Sequence, residues 1–155
     1  MYFDDFIRKC EDMGYKMYGM GQQEIAELTG RDRHFPKSYV ELMSILGHGT
    51  TVPFWNGQDF FCYSVSALHN YALDTLKDNE KTIALRDTDF VFYMSQSVLF
   101  AFFNTNEGDD PPVYLYTEAV PGRFIKVADA LSDFIWNYCF EPSIAFHELN
   151  SNRDD

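Results

Sequence analysis

The chain has no cluster of lysine or arginine. Its 12 basic residues are outnumbered by 24 acidic ones, for a formal net charge of −12. Nucleic-acid binders group their cations to displace counterions from phosphate, so nucleic acid is excluded as a partner class. An anionic membrane surface is disfavoured on the same ground. No apolar run approaches the roughly 20 residues that cross a bilayer, so no membrane span is expected. Met1-Tyr2-Phe3-Asp4-Asp5 is acidic where a signal peptide carries a basic region, and none is expected. Cysteine is scarce: Cys10, Cys62 and Cys139 are odd in number, widely spaced and form no CxxC. That pattern points to reduced thiols used as apolar filler and to a cytoplasmic location.

Signatures of chemistry are equally sparse. His34, His48, His69 and His147 stand at no metal-ligand spacing with one another, with Cys or with carboxylates. Gly47-His48-Gly49-Thr50-Thr51 is glycine-rich but follows a helical pattern and lacks the lysine of a phosphate loop, so it reads as a helix-ending turn. No serine has the context of a nucleophile elbow. The acid pairs Asp4/Asp5, Asp87/Asp89, Asp109/Asp110 and Asp154/Asp155 sit in polar stretches, where neither carboxyl is expected to be desolvated for acid–base work. The run 104–110 is rich in oxygen ligands but out of order for a calcium loop. No catalytic residue, cofactor or metal is therefore expected. An acid–base hydrolase would need two carboxylates converging in a pocket.

What the chain does have is aromatic weight: 17% of residues are Phe, Trp or Tyr, and 46% are hydrophobic. A chain of this length forms one domain, burying roughly 68–70% of its unfolded surface. The organising stretch is 89–117. Apolar runs Phe90–Met94, Val98–Phe103 and Val113–Tyr116 are separated by Ser95-Gln96-Ser97 and by an acidic, proline-closed loop. Aromatic and β-branched runs punctuated by turns predict an antiparallel meander. Strict alternation would put Phe90, Phe92 and Met94 on one side and Val91 and Tyr93 on the other. Runs apolar on both sides are covered on both, by the domain alone or with help, which also allows a homodimer through the sheet face.

Helical stripes supply the rest. Phe3, Phe6, Ile7 and Cys10 mark a first helix, and 22–29 a second, capped by Gly30. Pro36 opens a third with Phe35, Tyr39, Leu42, Met43 and Leu46 inward, stopped by Gly47. Residues 59–65 read as a strand, and 66–77 as a helix with Leu68, Tyr71, Ala72 and Leu76 on one side. Residues 82–85 read as a short strand. Val127, Leu131, Phe134, Ile135 and Tyr138 give a closing helix ended by Pro142, and 150–155 is a polar tail expected to fray. The expected class is α+β: one domain over 1–149 around a mainly antiparallel central sheet.

One charge pattern stands out. Between Arg86 and Arg123 there is no basic residue, while Asp87, Asp89, Glu107, Asp109, Asp110 and Glu118 all fall inside. Tyrosines 93, 114 and 116 lie in the same window. Aromatic anchors with a charged rim are a common composition for a protein-binding surface. Asp87, Asp89, Glu107, Asp109, Asp110, Tyr114 and Tyr116 are the expected partner-binding residues, facing a protein with a basic surface.

The motifs occur in a telling order. Gln23-Glu24-Ile25-Ala26-Glu27-Leu28 precedes Phe35-Pro36-Lys37-Ser38-Tyr39-Val40-Glu41-Leu42-Met43 and Gly47. Phe90–Tyr93, Phe100–Phe103, Asp110-Pro111-Pro112-Val113-Tyr114 and the helix around Ala130–Ile135 follow. In this order, from Gln22 to Tyr138, the chain resembles the SUKH superfamily, which holds yeast cell-wall synthesis regulators and many bacterial toxin-immunity proteins. The family more often has Leu at the place of Phe35, Gly between its central strands and Asn-Gly after the Pro-initiated helix. The resemblance implies an α+β domain without catalysis. For bacterial members it implies an antitoxin that occludes a cognate polymorphic or contact-dependent toxin, often a nuclease. The alternative it allows is a regulatory or scaffold adaptor without a toxin partner.

Overall fold

The computed structural model describes residues 1–30, 34–80, 82–96 and 99–142. His147, the Asp154/Asp155 pair and the tail 150–155 lie outside the described residues, as do Ser97 and Val98 between the first two meander strands. The elements in order are α1 (Asp4–Asp12), β1 (Met17–Tyr18), α2 (Gln22–Thr29), α3 (Lys37–Leu46) and β2 (Gly49–Thr50). A single 3₁₀ turn (Pro53–Trp55), α4 (Cys62–Asn79), β3 (Asp89–Ser95), β4 (Leu99–Asn104), β5 (Val113–Thr117), β6 (Ile125–Ala128) and α5 (Leu131–Phe140) complete them. The architecture is α+β, built on an antiparallel sheet ordered β3-β4-β5-β6, with β1 and β2 paired separately.

The sheet is the middle of three layers. On one side Phe92, Tyr93, Ala101, Phe103, Val113, Leu115, Ile125 and Val127 pack with α1, α3, the 3₁₀ turn and α5, whose contributions include Phe6, Tyr39, Leu42, Trp55 and Phe134. On the other, Val91, Met94, Phe100, Phe102 and Tyr116 meet Val65, Leu68, Ala72 and Leu76 of α4. Burial is worth about 1.5–3 kcal/mol for each large apolar side chain, so α4 is held by its stripe rather than by helix propensity. Both faces are thus covered from within the chain, and the open apolar face that suggested a homodimer is occupied by α4.

Several expectations are corrected. Residues 59–65 are not a strand: only Asp59 bridges β3, exchanging backbone hydrogen bonds with Met94, and α4 begins at Cys62. The run Phe60–Val65 is apolar because Phe60 and Phe61 plug the core ahead of the helix, while Val65 starts its stripe. Tyr71, placed on that stripe, is exposed, as are Tyr63 and Leu73 on α4. Residues 82–85 form no strand. Val127 belongs to β6, a fourth strand hidden by its brevity, and α5 starts at Leu131. Pro36 is the N-cap of α3 rather than its first residue.

The strict alternation in β3 is also broken. A bulge between Val91 and Tyr93 turns Phe92 and Tyr93 to the same core, leaving Val91 and Met94 on the α4 side. Two glycines do specific work. Gly30 ends α2 at φ 81°, a conformation that side chains resist. A Cβ on Gly19 would come within 1.9 Å of the Ser44 carbonyl oxygen, so only glycine lets β1 lie against the end of α3.

Candidate functional site

Antiparallel register decides where the acidic residues go. Asp89 pairs with Asn104, Phe102 with Tyr114, and Val113 with Ala128. The start of β3, the end of β4, the start of β5 and the end of β6 therefore meet at one end of the sheet. The segments leaving that end carry Asp87, Glu107, Asp109, Asp110, Asp129 and Asp133. A neighbouring hollow of about 150 Å³ is lined by Asp133, Ser132, Trp136 and Asp5, so the acidic zone runs on to the start of α1.

The individual roles differ. Asp87 is exposed and borders a hollow of about 190 Å³ with His34, Thr105 and Asn106. Glu107 accepts a hydrogen bond from the Tyr114 hydroxyl at 2.9 Å and stands 3.8 Å from Arg86 Nη2. Burial, followed by the bond to Glu107, raises the Tyr114 phenol above its ordinary value. Asp109 is exposed 3.9 Å from Lys37 Nζ, and its carbonyl accepts from the Ser38 N–H at 2.9 Å, tying the β4–β5 loop to the start of α3.

Three expected contact residues are absorbed by the fold. Asp89 is 5% exposed and accepts from the Arg86 N–H at 2.8 Å, from Arg86 Nη2 at 3.1 Å and from Asn104 Nδ2 at 2.9 Å. Tyr116 is fully buried in the α4-side core, its hydroxyl donating to Glu80 at the opposite end of the sheet. Burial, with Glu80 adding to it, pushes that phenol up to about 12. Neither residue is on the surface. Asp110 caps α5: its oxygens accept from the N–H and the hydroxyl of Ser132, supplying the cap that Ala130 lacks. Asp110→Ala is expected to cost about 1 kcal/mol, read as a lower urea midpoint at unchanged m-value.

Glu118 and Tyr93 also leave the site. Glu118 accepts from Asn79 Nδ2 at 3.0 Å, away from the acidic end, and Tyr93 faces the other core and donates to Gln58 at 3.1 Å. Asp129 and Asp133 stand at the same end of the sheet but lie beyond Arg123, outside the basic-free window and within the stretch whose periodicity reads as the closing helix. Asp129 pairs with Lys126 at 2.7 Å. Asp133 is raised above the ordinary carboxylate value by burial first, then by the charges of Asp110 and Asp129. The sign follows from linkage. The native state holds this proton to higher pH than the unfolded chain, so the contribution of Asp133 declines as pH rises above the unfolded value of 3.8. Asp133→Asn is expected to raise the thermal midpoint at neutral pH by the equivalent of less than about 0.5 kcal/mol, after solvent screening. The gain should vanish below the unfolded value.

Asp87 and Asp89 also line a hollow of about 610 Å³ with His69 and Asn70, but Arg86 and Asn104 occupy the oxygens of Asp89. A groove of about 620 Å³ between α2 and α3 is lined by Ile25, Phe35 and Val40, and none of the acidic-end carboxylates borders it. No helix among the described residues is long and apolar enough to cross a membrane. A family model described as SMI1-KNR4 cell-wall, SUKH_6, matches residues 32–135. The chain belongs to the SUKH superfamily. No curated protein and no solved structure matches it. The matched stretch of this SUKH domain runs from ahead of α3 into α5 and takes in the whole four-stranded sheet. Helices α1 and α2, with the Gln23–Leu28 motif, fall outside it. Within the match lie Asp87, Glu107, Asp109, Asp110, Asp129 and Asp133.

Proposed function

We propose that this SUKH domain is a non-catalytic binding protein of the immunity type, which covers a basic surface of a cognate protein toxin with the acidic end of its sheet. One observation carries the reading: carboxylates from three separate segments, the approach to β3, the β4–β5 loop and the stretch after β6, are gathered at one end of the sheet. A nuclease suits as the toxin, because a groove that binds phosphate is basic and complementary to this surface. Asp87, Glu107, Asp109, Asp129, Asp133 and Tyr114 are the contacts, and occlusion is the mechanism.

The partner is sought in the neighbouring reading frames and tested as the purified pair. Association at 50 and 300 mM salt is expected to slow by roughly tenfold or more, with dissociation much less affected. Asp109→Lys combined with Asp133→Lys should slow association further without lowering the thermal midpoint. An association rate indifferent to salt would remove the electrostatic mechanism. The cell-wall description of the family model favours a second reading, a regulatory adaptor. Several unrelated proteins captured reproducibly, with no neighbouring toxin gene, would favour it.

A further inference from the structure

Away from the acidic end, side chains from three elements form a hydrogen-bonded series. Cys62 opens α4, and its Sγ lies 3.3 Å from His48 Nδ1. The other ring nitrogen, Nε2, is bonded to Glu24 Oε2 on α2. An ionised carboxylate only accepts, so Nε2 carries the ring proton and Nδ1 is left as the acceptor facing the thiol. The two nitrogens point in opposite directions, so His48 cannot bring Cys62 and Glu24 onto one metal ion. The His48 N–H donates to the Tyr18 carbonyl at 2.8 Å, anchoring the residue to β1.

The site is open to solvent. The His48 and Glu24 side chains are 44% and 52% exposed, and Cys62 is half-buried. Sγ also sits at the N-terminus of an 18-residue helix, where the dipole favours negative charge. The other thiols differ. Cys10 is wholly buried and pushed up to about 11 by desolvation, and Cys139 is raised further by the same cause. One more contact narrows the chemistry. The Cys62 N–H, which would serve as an oxyanion donor beside the nucleophile, donates instead to the Gly47 carbonyl at 2.9 Å. Acyl transfer loses that donor. Attack on sulfur places its charge on a departing sulfur and needs none.

We infer that Cys62, His48 and Glu24 form a thiol-exchange site at which Cys62 takes up low-molecular-weight disulfides as a mixed disulfide. The Sγ proton passes to His48 Nδ1, and the thiolate electron pair forms the new S–S bond. The S–S bond of the disulfide breaks, and its departing sulfur keeps the electron pair of that broken bond and recovers the proton from His48. One thiol and one disulfide become one mixed disulfide and one thiol, so the reagent itself is the oxidant. Glu24 is a positioning residue: it fixes the imidazole tautomer and offsets the charge of the protonated ring.

The test incubates the full chain with oxidised glutathione and maps the adduct by peptide mass. Modification is expected at Cys62 first, with Cys10 and Cys139 untouched while the protein stays folded. His48→Gln should slow it roughly tenfold and Glu24→Gln by less, at unchanged circular dichroism and thermal midpoint. Equal rates in the wild type and His48→Gln, or an adduct at Cys139 as fast as at Cys62, would overturn the inference. Should His48→Gln fail to fold, an unchanged rate in Glu24→Gln overturns it equally.

Discussion

Phe92→Ala is expected to cost about 3–5 kcal/mol, the usual range for deleting a buried phenylalanine ring. Phe92 is fully buried at the β3 bulge, with ring centroids of Phe103, Phe134 and Phe60 at 5.4, 5.6 and 6.3 Å. Those neighbours come from β4, α5 and the segment ahead of α4, so no single element can move in to close the cavity. Against a total stability of about 5–15 kcal/mol this is roughly a fifth of the whole or more. For a chain of this size each kcal/mol moves the thermal midpoint by about 2–4 °C, so a fall of roughly 6–20 °C should be seen by calorimetry. Tyr63→Ala, on the exposed face of α4, should stay within about 0.5 kcal/mol of wild type. A loss below about 1.5 kcal/mol for Phe92→Ala would show that the bulge does not turn its ring into the core.

Asp89→Ala is expected to cost about 2–4 kcal/mol through a different mechanism. Its carboxylate takes hydrogen bonds from the Arg86 backbone and guanidinium and from Asn104, which is only 3% exposed. Removing the acceptor strands the Asn104 amide in the interior, which costs more than the net worth of the bonds lost. Asp89→Asn keeps an acceptor but not the charge, and should cost roughly half as much. Urea denaturation reads both. The pair also separates stability from recognition. At concentrations where both variants are folded, partner association should match wild type, because Asp89 is not on the surface. Slower association in folded Asp89→Asn would show that its charge reaches the partner after all.

Local patterning carried much of the fold. The stripe of Phe35, Tyr39, Leu42, Met43 and Leu46, with Pro36 before it and Gly47 after, is legible because helix periodicity and helix punctuation agree. The meander strands were legible because their apolar runs are long. Patterning failed where an apolar run served two purposes in succession. Phe60 and Phe61 fill the core and Val65 begins a helical stripe, yet together they mimic a strand. β6 was missed because Ile125–Ala128 is too short to show its period. The bulge at Phe92 is invisible to any count by twos.

The functional residues divide along a similar line. Charge balance along the chain is a local property, and it exposed the basic-free window on which the proposal of a basic partner rests. It did not separate Asp89 and Tyr116, which the core consumes, from Glu107 and Asp109, which it leaves out. Nor did it bring in Asp129 and Asp133, or join Cys62 to His48 and Glu24. Composition, helical stripes and long apolar strands are written in neighbouring residues and need nothing else to be read. Which carboxylates share one end of the sheet, and which base faces a thiol, depends on strand register and on how α2, α3 and α4 cross. Those are set by packing between residues far apart in the chain, and no local pattern encodes them.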